Sequence, residues 1–233
     1  MLIKCKYFGN YFGIKSFRFI FAGENLNTLK GIQSIMKEKI INKAKDMFLK
    51  LGFKSITMDD IAGEMCISKK TIYKYFANKE LLIEESTLAV HNEIHDTIHL
   101  ITSKNYNAIE ENFVIRKMFK EMFKSSETSP VYQLKKHYPE IYEKVMLREI
   151  NECKTTFKQN IEKGIASGLY RKELKIENYV RFYYTLIFNI NETTISEKEA
   201  FDLEQDALEY HTRAMATEKG ILELEKQLKN PFI

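Results

Sequence analysis

Apolar positions fall into a helical period from Lys37 onward. Ile40, Ile41, Ala44, Met47, Phe48 and Leu51 recur at the three- and four-residue intervals that stripe one helix face, and Gly52 supplies a stop. Thr57, with Asp60 three residues on, is close to a capping box and opens a second helix whose Ile61 and Ala62 face inward. Ser68 caps a third helix anchored by Ile72 and Phe76, and Asn78 caps a fourth. The third helix leaves Lys69, Lys70, Thr71, Tyr73 and Lys74 for the outside, with no acid between Ser68 and Glu80.

Beyond Ile83 the helices lengthen. One is expected from Lys79 to about Ile101 and another from about Ala108 to Phe123, followed by a loop over residues 125–130. Pro139, at a first helical position, opens a helix to about Ala166 that Gly168 closes. From Glu177 to about Ile190 the chain is apolar nearly all round, the pattern of a helix buried on every side. Ser196 with Glu199 makes a capping box for a last long helix, with Leu203, Ala207, Tyr210 and Ala214 on one stripe.

Composition agrees. The 233 residues are 44% hydrophobic with three prolines and nine glycines, which suits an all-α chain with a sizeable core. The net charge of +4 is unevenly spread. Residues 1–35 carry five Lys/Arg against one acid, and 36–83 ten against six; 84–233 carry 21 against 25. A basic front and an acidic remainder suit one module facing phosphate and another facing something else.

Cys5, Cys66 and Cys153 are odd in number and scattered, with no CxxC pair, so neither a disulfide framework nor a zinc finger is expected and a reducing cytoplasm is. No apolar run reaches the length of a membrane span. Residues 1–35 are aromatic and basic, without a sustained period. They are expected to be a translated leader or poorly ordered extension ahead of a start at Met36, while a basic arm for the minor groove is the alternative.

The run from Thr57 to Leu81 therefore has the layout DNA reading requires. A short helix entering the major groove presents its first side chains to base edges, while hydroxyls, lysines and helix starts hold the phosphates. Lys69 and Lys70 suit guanine O6 and N7, and Thr71 a thymine methyl or a phosphate. Tyr73, Tyr75 and Lys79 are placed as phosphate clamps; Thr57, Ser68 and Lys74 complete the candidate DNA-binding set.

Residues 37–83 resemble the N-terminal domain of the TetR (tetracycline-repressor-like) family of bacterial regulators. The likeness rests on Thr57, Ile61-Ala62, Ile67-Ser68, Thr71-Ile72-Tyr73, Tyr75-Phe76 and Asn78-Lys79-Glu80-Leu81. It implies an all-helical homodimer with a helix-turn-helix domain at 36–83 and an effector-binding and dimerisation domain at 84–233. It also implies repression at a palindromic DNA operator, released by a small molecule, with the last two long helices pairing across a dimer. Cys66 stands where the family commonly has glycine, so a positive φ there would carry strain. Lys70 occupies another position often held by glycine.

The resemblance further implies a pocket in the C-terminal body. Phe113, Phe119, Tyr138, Tyr142, Phe157, Tyr183 and Phe188 are candidate linings for an effector the sequence does not identify. His91, His95 and His99 lie four apart on one helix, a spacing at which His pairs hold Zn²⁺, although a solvated polar face is the plainer reading and no metal or other cofactor is assigned. Cys66, beside Ser68, Lys69 and Lys70, is a candidate for oxidation within the turn. No nucleophile elbow, phosphate loop or HExxH run is present, so an enzyme is not expected. A DNA-binding module controlled by a protein partner remains the alternative, and an enclosed apolar pocket would argue against it.

Overall fold

A computed structural model describes residues 26–229, with side chains from Gln33. The chain divides into two units, residues 1–35 and 36–233. The extension expected over the first 35 residues falls largely outside the described part.

Ten helices and no strands are found among the described residues: α1 Leu26–Leu51, α2 Met58–Glu64, α3 Lys69–Tyr73, α4 Lys79–Thr102, α5 Ala108–Phe123, α6 Pro130–His137, α7 Pro139–Ala166, α8 Ile176–Thr193, α9 Glu197–Met215 and α10 Glu218–Leu228. The starts are set where the sequence puts them. Thr57 and Asp60 form the reciprocal box, with bonds of 2.9 and 3.2 Å. Ser68 accepts from the Thr71 N–H at 3.1 Å and Asn78 from the Leu81 N–H at 2.9 Å. Gly52 (φ +90°) and Gly168 (φ +72°) take the left-handed conformation that ends α1 and α7.

Four expectations need correction. α1 begins at Leu26 rather than Lys37, because extending a formed helix needs no new nucleus and the added stretch contains no proline. α6 and α10 were not foreseen. Ser129-Pro130 reads as a loop yet serves as cap and first turn of α6, and Thr217 caps α10 through the Gly220 N–H at 3.2 Å. At the start of α9 only Ser196 caps, through the Glu199 N–H at 3.4 Å. Finally, α8 is not buried on every side. Val180, Tyr183 and Ile190 face inward, but Phe182 is 61% and Leu186 38% exposed in the single chain. The α9 stripe splits likewise: Ala207 is buried near Ile190 and Ala200, while Leu203 and Tyr210 lie exposed.

One core joins α1–α4 through Ile40, Phe48, Ile61, Ile72, Phe76 and Leu82, all essentially buried, and each such side chain stabilises the fold by about 1.5–3 kcal/mol. Leu134 of α6 and Ile141 of α7 belong to the same core. The helix-turn-helix unit is thus packed directly on the body behind it, and α4 runs unbroken through the expected boundary at 83/84. A second core around Phe113, Ile161, Tyr170, Tyr183 and Leu208 holds α5 and α7–α10 together. Gly164 is required there, since a Cβ would lie 2.0 Å from the Tyr170 ring.

Candidate nucleic-acid interface and effector cavity

The turn between α2 and α3 is closed by backbone bonds from Cys66 N to Gly63 O (3.1 Å) and from Ile67 N to Ala62 O (3.0 Å). Its geometry needs a left-handed residue, and Cys66 supplies it at φ +52°, the one described non-glycine residue with positive φ. Such a conformation costs a non-glycine residue about 1–3 kcal/mol. The turn presents α3 with Ile72 buried and Ser68, Lys69, Lys70, Tyr73 and Lys74 exposed.

The candidate contacts differ in how committed they are within the protein. Lys69 pairs with Asp59 of α2 at 2.9 Å and sits 5.8 Å over the Tyr73 ring. The hydrogen bond and charge of Asp59 raise the Lys69 pKa. Lys70 makes no ion pair among the described residues, and Lys74 rests 5.9 Å over Tyr75, itself half-buried against the core. Thr71 is half-buried, its hydroxyl 2.8 Å from Ser68 Oγ. The Thr57 hydroxyl donates to Asp60 at 2.7 Å. Lys79 donates to the Lys54 carbonyl at 3.2 Å and lies over Tyr138. The exposed, least committed cations are therefore Lys70 and Lys74. The counter-ion Asp59 was not foreseen, because it lies on the preceding helix.

Behind this unit is a cavity of about 240 Å³, walled by α1 and α4–α9. Of the aromatic candidates, Phe119, Phe157, Tyr183 and Phe188 line it. Phe113, Tyr138 and Tyr142 do not. Phe113 is in the second core. Tyr138 packs on the first core, its hydroxyl 3.4 Å from the Phe53 carbonyl, and the Tyr142 hydroxyl donates to Glu192. Phe48, Leu49 and Phe53 also form part of the wall, so residues of the helix-turn-helix unit face the cavity.

Two hydrogen-bonded clusters of charged side chains lie in the cavity wall. Arg116 pairs with Glu204, donates to the Phe201 carbonyl at 2.7 Å and lies 3.9 Å over the Phe201 ring, while Asn191 donates to Glu204. The second group is His91 and His95 of α4 with Glu149 of α7. Glu149 Oε1 is 2.5 Å from His91 Nδ1, and its Oε2 is 3.3 Å from His95 Nε2. Burial pushes the Glu149 carboxyl up, but hydrogen bonds from His95 and His91 outweigh it and leave the pKa lowered. The Glu149 hydrogen bond raises that of His95. Burial, then Glu149 and Glu152, pushes the nearby Cys153 thiol up to about 12, so it stays protonated. His99 is exposed and outside the cluster.

A profile of bacterial regulatory proteins of the tetR family matches residues 40–86. YdeS of Bacillus subtilis, named as an uncharacterized HTH-type transcriptional regulator, is 28% identical over 160 residues, covering 64% of this chain and 74% of that protein. IcaR of Staphylococcus aureus, named as a negative transcriptional regulator of the biofilm operon icaADBC, is 31% identical over 75 residues; the match covers 32% of this chain and 40% of IcaR. The crystal structure of a transcriptional regulator from Cytophaga hutchinsonii superposes with a TM-score of 0.62, at 19% identity, over 77% of this chain and 98% of that one. That likeness shows the fold. The relatives are named as regulators of transcription, and among the described helices none is long and apolar enough to cross a membrane.

Proposed function

We propose that this chain, which belongs to the tetR family of bacterial regulatory proteins, is a repressor that holds a palindromic operator as a homodimer and lets go when a small molecule fills its cavity. The observation that carries the reading is the shared wall: Phe48, Leu49 and Phe53 line the cavity and also belong to the helix and turn on which α2 and α3 are packed. A ligand bulky enough to displace those side chains changes how the reading helix is held. Effector binding and DNA binding are then linked through one set of contacts, with a coupling of about 1–3 kcal/mol typical of such proteins.

Repression is the sign taken from IcaR, named a negative regulator. The homodimer accounts for the exposed apolar side chains of α8 and α9, Phe182, Leu186, Leu203 and Tyr210, which a second copy would cover. Two reading heads related by a two-fold axis require a palindromic site with half-sites spaced by the helical repeat of DNA. A module controlled only by a protein partner would have no use for an apolar cavity, and the presence of one favours a small, largely apolar effector with a polar anchor.

The test is a thermal-shift screen of apolar small molecules against the purified protein, with hits titrated into the operator complex. A hit should stabilise the protein, weaken operator binding in step, and lose both effects in Met146→Trp, which fills the cavity. Hits that stabilise both proteins equally would remove the cavity from the reading.

A further inference from the structure

We propose that His91, His95 and Glu149 form a binding site for a divalent first-row transition ion of the Zn²⁺ class, set in the wall of the effector cavity. This deepens the reading above and rests on it for its regulatory consequence: the ion is the effector, or the anchor to which an effector is tied.

The donor set is the first argument. Two imidazoles and one carboxylate suit Zn²⁺, Co²⁺ and Ni²⁺, and three protein ligands with an open position are the composition of Zn²⁺ sites that bind a further group. Their ligand atoms lie within 4.8 Å of one another, so small side-chain rotations bring them to the separations that bonds of about 2.0–2.2 Å to a common ion require. All three side chains are largely shielded, 13–17% exposed, and line the cavity, so a remaining coordination position has somewhere to point.

The architecture is the second argument. His91 and His95 are one turn apart on α4, their rings 4.3 Å between centroids, while Glu149 reaches across from α7. Without an ion, the carboxylate and the two rings are held together by hydrogen bonds, for which imidazole N–H groups must donate. An ion replaces those protons: both rings bind it through the nitrogen now facing Glu149, and the displaced protons go to solvent. What is a hydrogen-bonded contact between α4 and α7 becomes a coordinate clamp. α4, capped by Asn78, is the next helix after the reading helix, and α7 carries Ile141 of the core beneath it. The clamp therefore acts on the two helices against which the reading unit rests.

The test uses the full-length protein without DNA. Co²⁺, then Zn²⁺, is titrated while visible absorption, heat and thermal stability are followed. Wild type should take up one ion per chain, gain thermal stability and show the Co²⁺ spectrum of nitrogen and oxygen ligation without a thiolate band. His91→Ala and Glu149→Gln should each weaken binding at least about ten-fold; His95→Gln serves if either fails to fold, judged by helical circular dichroism. His99→Ala should bind as wild type does. Absence of stoichiometric binding to a folded wild type, or binding unaltered by the ligand substitutions, overturns the site. Because no DNA is present, such a failure is distinct from failure of the operator reading, measured separately with and without the ion.

Discussion

The backbone N–H of Phe53 donates to Oε1 of Gln133 at 3.0 Å, tying the turn after α1 to the side of α6. Gly52 sits so close that a Cβ there would meet the same Gln133 oxygen at 2.6 Å. Four residues before Phe53, the Leu49 carbonyl accepts from the Ser126 hydroxyl at 2.7 Å. These bonds brace the part of the DNA-reading unit that faces the cavity against the body of the protein.

Gln133→Ala is therefore expected to keep operator binding but reduce its response to effector, lowering the coupling by about 0.5–2 kcal/mol. Operator titrations with and without a cavity ligand measure it. Loss of operator binding itself would mean that the bond holds the reading head in place and carries no signal.

On the reading surface, Lys70→Ala should weaken specific binding by about 1–3 kcal/mol and relax preference at one base position, while Lys74→Ala should weaken all sequences alike and lower the salt slope by about 1. Asp59→Asn frees Lys69 from its counter-ion and should strengthen binding to any DNA. Binding isotherms at several salt concentrations separate the three; unchanged affinity in both lysine variants would move the interface off α3.

Cys66→Gly should raise stability by about 1 kcal/mol, since glycine takes φ +52° without strain. Chemical denaturation reads this directly, and a loss of stability would place the cost of glycine's freedom in the unfolded chain above the strain removed.

His211, which is buried, and Glu197, which is partly buried, give opposed pH dependences. His211, stacked 4.6 Å from Tyr183, has its pKa pushed down by burial to about 4. The unfolded chain takes this proton near 6.5, so stability is full above that pH and lost as pH falls toward 4. Glu197 is pushed up to about 7, by burial first and then by Glu204. Its folded form keeps a proton that the unfolded chain sheds near 4.5, so stability is lost as pH rises from 4.5 to 7. The two slopes, each about 1.4 kcal/mol per pH unit at most, offset one another between about 4.5 and 6.5. Glu197→Gln should unmask stability that rises with pH in that window, and His211→Gln stability that falls; denaturation at several pH values checks both signs.

Local signals were legible in the sequence because they act over three or four residues. The Thr57, Ser68 and Asn78 caps follow from side chains bonding their own neighbourhood, and the Gly52 stop from glycine's access to positive φ; the positive φ at Cys66 was legible only through the resemblance, which puts glycine at that place. The cavity was not, because aromatic identity does not fix direction. Phe157 and Tyr183 turn into it, while Tyr138 and Tyr142 turn to the first core. The histidine row was half legible. Each step of four residues rotates about 40° round a helix, so His95 stays beside His91 while His99 swings toward solvent. Glu149 is 58 residues from His91 in sequence, and only the packing of α4 on α7 brings it there. The apolar surround of α8 was misread as burial because its outward residues, Phe182 and Leu186, are not covered within one chain.

The most direct test of a regulator that reads a specific operator is selection of genomic DNA fragments by the purified protein, with binding of the selected fragments followed against salt. A palindromic site bound far more tightly than bulk DNA at physiological salt is the predicted result. Weak binding to every fragment, falling steeply and equally with salt, would contradict it.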